Sequence, residues 1–262
     1  MIVEQIYTDV PLRNFNYLLA DEKTKEALAV DPLIPFLCLE RAREKGYRIT
    51  WVFNTHEHLD HTAGNEEVLA ATGARLAAHE AASIEGVSLP LKGGEEICIG
   101  ESLIKALYTP GHTLAHLCLL GQDSEGRPFL VSGDTLFNAG CGNCIHGGDP
   151  DKLYETFVSV LEKLEDDTLI YPGHDYLENN LRFSLSREPD NQETQALLEK
   201  AKNQDPRHPL ITTLAMEKKI NPFFRLRSFS IIQKLKEDVP GFPEHPSERE
   251  VFLALRELRN RW

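Results

Sequence analysis

The chain has 262 residues, 41% of them hydrophobic, enough to bury a full core as one large domain or as a large domain with a small one. A net charge of −13 at pH 7 repels nucleic acid and anionic membranes and argues against both as partners. The charge is uneven: residues 196–262 carry 13 Lys and Arg against 9 Asp and Glu, and the first 195 carry 15 against 32, which places a basic appendage on an acidic body.

In chain order, apolar and β-branched runs broken by turn residues predict strands over residues 1–7, 15–20, 27–30 and 48–53. Residues 37–45 and 65–72 show helical spacing instead, the second run starting at a turn that contains Gly64. Alternation resumes over residues 75–78, 96–99, 104–108, 116–120, 129–132 and 169–171, with an amphipathic helix over 151–164 before the last. Two strand-rich halves separated by helices suggest layered sheets covered by helices. From about Asn179 strands are expected to disappear, and helical runs over 194–203, 212–219, 227–237 and 248–260 alternate with proline-rich joints. The expected division is a catalytic domain over 1–178 and a small helical domain over 179–262 packed over the site. The first residues lack a basic segment followed by an apolar run, and no stretch reaches ~18 apolar residues, so the cytoplasm is the expected location.

Five cysteines, odd in number and scattered, argue against a disulfide framework. Cys38, Cys98 and Cys118 lie in apolar runs and read as core. Cys141 and Cys144, with His146 nearby, have the spacing of a redox pair or a third metal site, but one such pair is weak evidence and simple loop packing is the first reading.

The run Thr55-His56-Glu57-His58-Leu59-Asp60-His61, directly after a predicted strand, carries three imidazoles and a carboxylate suited to zinc, iron or manganese. In an extended segment His56 and His58 point to one side, while Asp60 and His61 can splay toward a neighbouring site. His112, Asp134 and His174 each follow a glycine at the end of a predicted strand, where the backbone can turn sharply. These seven donors match two divalent ions about 3.5 to 4 Å apart, each with three terminal ligands and both sharing one carboxylate. The other five histidines, His79, His116, His146, His208 and His245, read as ordinary surface or core residues.

The motifs resemble the metallo-β-lactamase superfamily, and along the whole chain they look most like glyoxalase II, the hydroxyacylglutathione hydrolases. The likeness covers Asp31-Pro32, the Thr55 to His61 run, Gly111-His112-Thr113, Gly133-Asp134-Thr135-Leu136-Phe137, Ala139-Gly140-Cys141-Gly142, Gly173-His174-Asp175-Tyr176 and Asn221-Pro222-Phe223. It implies an α/β (α+β) fold, the αββα sandwich with a small C-terminal helical domain. It also implies one metal on His56, His58 and His112, a second on Asp60, His61 and His174, and Asp134 as the bridge. Zinc is the first expectation for both ions, with iron or manganese as alternatives.

Two divalent ions sharing a water can supply hydroxide at neutral pH, and one of them can polarise a carbonyl oxygen, which is the chemistry of a hydrolase. A thioester suits such a site because its thiolate leaving group, with an unperturbed pKa near about 8.5, needs little protonation. Asp60 can orient the hydroxide and is the expected catalytic residue. The resemblance places Asn143, Ile145, Tyr176, Arg256 and Arg259 at substrate-contacting positions. At the first two the family carries a basic and an aromatic residue, so each change removes on the order of 1 to 3 kcal/mol of glutathione binding. Arg256 and Arg259 read equally as a solvated helix face.

The expected function is a dinuclear metal-dependent thioesterase acting on a small anionic hydroxyacyl thioester such as S-lactoylglutathione, as a monomer or homodimer. The alternatives are a mononuclear iron persulfide dioxygenase acting on glutathione persulfide, a lactone or phosphoester hydrolase on the same metal core, and a metal-binding protein without catalysis.

Overall fold

The computed structural model describes all 262 residues. Strands β1 (Ile2–Tyr7), β2 (Phe15–Ala20), β3 (Glu26–Val30), β4 (Arg48–Phe53), β5 (Arg75–His79) and β6 (Leu89–Leu91) form a six-stranded sheet in that order. A second sheet contains β7 (Glu96–Ile99), β8 (Ser102–Tyr108), β9 (Leu117–Gln122), β10 (Pro128–Gly133), β13 (Leu169–Pro172) and β14 (Thr212–Thr213), in the order β14-β13-β10-β9-β8-β7. The short ribbon of β11 (Leu136–Phe137) and β12 (Gly140–Cys141) stands apart from both.

Strand periodicity explains the layering, because successive side chains face opposite sides of a sheet. On β2, Phe15, Tyr17 and Leu19 enter the core between the sheets, and Leu18 enters the core beneath the helices α1 (Pro35–Lys45) and α3 (Asn65–Thr72). On β10, Phe129 and Val131 face the first sheet and Leu130 faces outward. That outer face is covered by α4 (Pro150–Ser159), α8 (Phe229–Asp238) and α9 (Glu248–Asn260), through Leu153 and Phe157, Ile231 and Leu235, and Val251, Phe252 and Leu255. The architecture is therefore the expected αββα sandwich.

Helices α5 (Leu177–Arg187), α6 (Gln192–Ala201) and α7 (Leu214–Ile220) form a further cluster through Leu177, Leu181, Leu197, Leu198, Ala201 and Ile220, with Ala139 packed into it. No apolar period announces α5 because Asn180 and Ser184 occupy core-facing positions. The expectation that strands end near residue 179 fails at β14, which pairs antiparallel with β13 over only two residues, too few to show alternation. The expected helix over 151–164 breaks at Val160 into α4 and a single 3-10 turn, Leu161–Lys163. Cys98 is exposed rather than core: on the edge strand β7 it faces away from buried Ile97 and Ile99.

Strand direction gathers the loops that matter. Strands β10 and β13 are parallel, and β8 runs the same way because each is antiparallel to β9 or parallel to its neighbour. The segments after β8, β10 and β13 therefore leave the second sheet at one edge. The segment after β4 meets them there, where the Leu117 amide donates to the Thr55 carbonyl at 2.8 Å and the Phe15 amide donates to the Gly173 carbonyl at 2.8 Å.

Glu217 on α7 joins the helical region to the ribbon. Its buried carboxylate accepts from the Ala139 amide at 2.8 Å, Asn221 Nδ2 at 2.9 Å and Thr212 Oγ1 at 2.6 Å. Burial pushes this carboxyl from 4.5 up to about 7, against the pull of those donors. Between these values the folded state holds a proton that the unfolded chain has released. The group's contribution is thus fully present below about pH 4.5 and is lost as pH rises through about 7, a change on the order of 3 kcal/mol. Denaturant titrations at pH 5 and pH 8 should show Glu217→Gln removing this component of the pH dependence. An unchanged difference between the two pH values would refute the assignment.

Candidate active site

The segment from Asn54 to Thr62 turns out of β4 and closes into the short helix α2 (Leu59–Thr62). Asp31 organises it from the neighbouring β3 end, in the left-handed region at φ 48°, which Asp tolerates better than most residues. Its Oδ1 accepts from the Thr55 amide at 2.8 Å, and its Oδ2 accepts from Thr55 Oγ1 at 2.7 Å and faces His61 Nδ1 at 2.8 Å.

Each of the five clustered histidines has one ring nitrogen tied to an oxygen, and this fixes which nitrogen is left free. His56 Nδ1 lies 2.9 Å from Thr55 Oγ1, a hydroxyl whose proton already goes to Asp31. His112 Nδ1 lies 2.6 Å from the Asn143 carbonyl, His174 Nδ1 lies 2.7 Å from the Leu12 carbonyl, and His58 Nε2 lies 3.0 Å from the His146 carbonyl. The free nitrogens then converge in two groups. His58 Nδ1 is 3.0 Å from both His56 Nε2 and His112 Nε2. His61 Nε2 is 3.2 Å from His174 Nε2, and each is 3.5 Å from Asp60 Oδ2.

Asp134 stands between the groups, Oδ2 at 3.5 Å from His112 Nε2 and 3.3 Å from His174 Nε2, and Oδ1 at 3.5 Å from His61 Nε2. The β-bulge at the end of β10, with Gly133 at φ 47°, aims this carboxylate into the gap. Lone pairs about 3 Å apart repel unless a cation lies among them, and Asp134 Oδ1 is buried without a hydrogen-bond partner. The His61 environment favours positive charge: burial opposes it, but Asp134, Asp31 and Asp60 outweigh burial and raise the imidazole to about 9. Burial dominates at His112, lowering it to about 4, and at His56, driving it well below its usual value, so both stay neutral and able to ligate. The sets His56, His58 and His112, and Asp60, His61 and His174, thus fit divalent metal ions.

A cavity of about 310 Å³ adjoins the cluster. Its lining includes all five residues expected to contact substrate, Asn143, Ile145, Tyr176, Arg256 and Arg259, together with Phe137. Tyr176 stacks on His174, its ring 4.9 Å away and nearly parallel. The arginine pair is no solvated helix face, since Arg256 is 4% exposed and burial, followed by the nearby Arg256 charge, lowers the Arg259 guanidinium from its ordinary value.

Residues 19–174 match the model of the metallo-beta-lactamase superfamily, and residues 175–262 match the model described as the hydroxyacylglutathione hydrolase C-terminus. A hydroxyacylglutathione hydrolase of Nitrosococcus oceani is 52% identical, and one of Polaromonas sp. is 53% identical, each over the full length of both chains. The chain belongs to the hydroxyacylglutathione hydrolase family. Among solved structures, ETHE1 from Myxococcus xanthus is similar with a TM-score of 0.69 and 26% identity, over 99% of this chain and 98% of that one. The chain is therefore an enzyme, a metal-dependent thioester hydrolase. No helix is long and apolar enough to cross a membrane.

Sequence reasoning overlooked several residues that hold the site of this hydrolase. Buried His116 accepts the Asp134 amide on Nε2 at 3.1 Å and stacks against His56, so its ordinary core reading misses a supporting role that only the fold reveals. Asn14 Nδ2 donates to Asp60 Oδ2 at 3.0 Å from a loop before β2 that holds no His or Cys to draw notice to it. Asp31 offered a signal, an Asp-Pro pair following an early strand, but not its partners.

Gly173 is required by close approach, because a Cβ there would lie 2.3 Å from Asp134 Oδ1. Gly173→Ala should displace that carboxylate and lower hydrolysis at least roughly 100-fold, the effect expected of a 1 Å misplacement, with a native far-UV circular dichroism spectrum. Wild-type turnover in the variant would refute this reading.

Proposed function

We propose that this hydrolase cleaves a hydroxyacyl thioester of glutathione, with S-lactoylglutathione as the reference substrate, using two divalent cations, zinc foremost and iron or manganese as alternatives. The carrying observation is the convergence of two three-residue clusters on one buried carboxylate, Asp134, beside a cavity that holds two arginines and no acidic side chain. On this reading His56, His58 and His112 hold one cation, Asp60, His61 and His174 hold the other, and Asp134 bridges. When bound, the pair supplies a water acidic enough to ionise at neutral pH and a Lewis acid for the thioester carbonyl.

The chain's own residues do the rest. Asp60 is the most open of the carboxylates, with its side chain 26% exposed, and Asn14 restrains its Oδ2, so it can take a hydrogen bond from the attacking water and set its direction. Asp31, Thr55 and the carbonyls of Leu12, Asn143 and His146 keep the imidazoles in the tautomers that leave the converging nitrogens free. The cavity takes the thiol carrier: Arg259 meets its carboxylate, while Asn143, Ile145 and Tyr176 line its path. Water adds to the carbonyl carbon, the carbon–sulfur bond breaks, and the products are the hydroxy acid and the free thiol.

The proposed division into residues 1–178 and 179–262 is supported by the C-terminal family match from residue 175, and the same match favours the thioesterase over the mononuclear dioxygenase. The test is hydrolysis of S-lactoylglutathione by protein of known metal content, alongside oxygen uptake with glutathione persulfide. Fast hydrolysis with about two ions per chain supports the proposal. Oxygen consumption without hydrolysis, at one iron per chain, overturns it.

A further inference from the structure

Arg256 lines the cavity, but its hydrogen bonds go to the protein. Helix α9 is held rigidly, its N-terminus closed by a capping box between Ser247 and Glu250 and its inner face buried through Val251, Phe252 and Leu255. From there Arg256 Nη1 donates to the carbonyls of Cys141 at 2.8 Å and Gly142 at 3.1 Å, and Nη2 donates to Asn260 Oδ1 at 3.0 Å. Its Nε is buried without a partner, and no carboxylate pairs with the guanidinium. Nη1 also reaches Cys141 Sγ at 3.4 Å and the guanidinium lies 5.6 Å over the Phe223 ring, so carbonyl dipoles are its main but not its only partners, and it holds those carbonyls firmly because charge-assisted bonds are the stronger ones.

The loop so clamped is the one whose next carbonyls orient two histidines. One residue beyond Gly142, the Asn143 carbonyl faces His112 Nδ1, and the His146 carbonyl faces His58 Nε2. The Asn143 side chain serves the same loop, its Oδ1 accepting from the Ile145 amide at 3.0 Å. The other cluster is tied elsewhere, to Asp31, Leu12 and Asn14, none of which belongs to this loop.

We propose that Arg256 is a positioning residue which, through the backbone of residues 141–146, sets the affinity of the His56, His58 and His112 cluster for its cation, whereas Arg259 recognises the substrate. The proposal rests on the two-cation reading of the site. Arg259 is suited to its share because its guanidinium makes one side-chain hydrogen bond, to Asn180 Oδ1 at 3.0 Å, lies 5.8 Å over the Phe183 ring, and lines the same cavity.

The test is a titration of zinc into metal-free wild type, Arg256→Met, Arg256→Lys and Arg259→Met in competition with a chromophoric chelator, with KM and kcat measured on the zinc-loaded proteins. Arg256→Met should weaken one of the two zinc sites by about 10- to 100-fold and leave the other unchanged, the range typical of lost support to a ligating histidine. Arg256→Lys, which keeps a charged donor, should recover part of that loss. Arg259→Met should leave both zinc affinities as in wild type and raise KM. Arg256→Met and Arg256→Lys both retaining wild-type affinity at both sites, with only KM raised, would overturn the proposal. If Arg256→Met does not fold, as judged by circular dichroism, Arg256→Lys decides by the same criterion. If wild type binds a single zinc, the two-cation reading fails. The positioning role then stands if Arg256→Lys weakens that zinc and falls if it does not.

Discussion

Asp134→Ala is expected to lower thioester hydrolysis roughly 1,000-fold or more and to change metal content with it. Asp134 is the only carboxylate that stands within about 3.5 Å of imidazoles from both clusters, and it is buried, so its charge is poorly screened. On the proposed two-cation reading, removing it leaves five imidazoles and one carboxylate, Asp60, to neutralise two divalent charges. Loss of transition-state charge stabilisation of several kcal/mol, at about 1.4 kcal/mol per tenfold, gives the stated factor. Metal analysis on the same sample checks the cause. Two ions per chain retained in the variant would remove Asp134 from the bridging position whatever happened to the rate.

Asp31→Ala should cost about 3 to 5 kcal/mol of stability and lower the melting temperature by roughly 6 to 15 °C, through a different mechanism. The side chain is nearly inaccessible and serves the Thr55 amide, the Thr55 hydroxyl and His61 Nδ1 together. Alanine leaves all three without a partner in a buried place and also puts a side chain less tolerant of φ 48° at that position. Asp31→Asn separates the contributions. It tolerates the backbone but replaces one acceptor by a donor, so either Thr55 or His61 must lose its bond. The amide variant should therefore regain part of the melting temperature while metal affinity stays weakened by about 10- to 100-fold. A wild-type affinity in Asp31→Asn would show that the contact to His61 is not what orients that ring.

Much of this could be read from the chain because the decisive donors sit where local rules are strong. His56, His58, Asp60 and His61 lie in one loop, and His112, Asp134 and His174 each follow glycine at a strand end, so type and position spoke together. The sheets were legible for the same reason: β2 and β10 alternate between two cores, each apolar. What escaped depends on long-range pairing. Strand β14 exists only because β13 offers an edge to Thr212 and Thr213. Helix α5 hides its period behind Asn180, which serves the Asn138 carbonyl and Arg259 instead of an apolar core. The support from Leu12, Asn143 and His146 comes from main-chain carbonyls, which no residue identity can announce.

Both clusters draw on both sheets: His56 and His58 leave β4 and meet His112 beyond β8, while Asp60 and His61 meet His174 beyond β13. A cation seated in either cluster therefore binds the packed sandwich and not its separated halves. By mass action, free ion at 1,000 times its dissociation constant adds about 4 kcal/mol per site to the folded state. Metal supply then governs how long the polypeptide survives as well as how fast it turns over. In a cell starved of the ion, the empty form would be opened and digested more often, and the amount of enzyme would fall along with its activity.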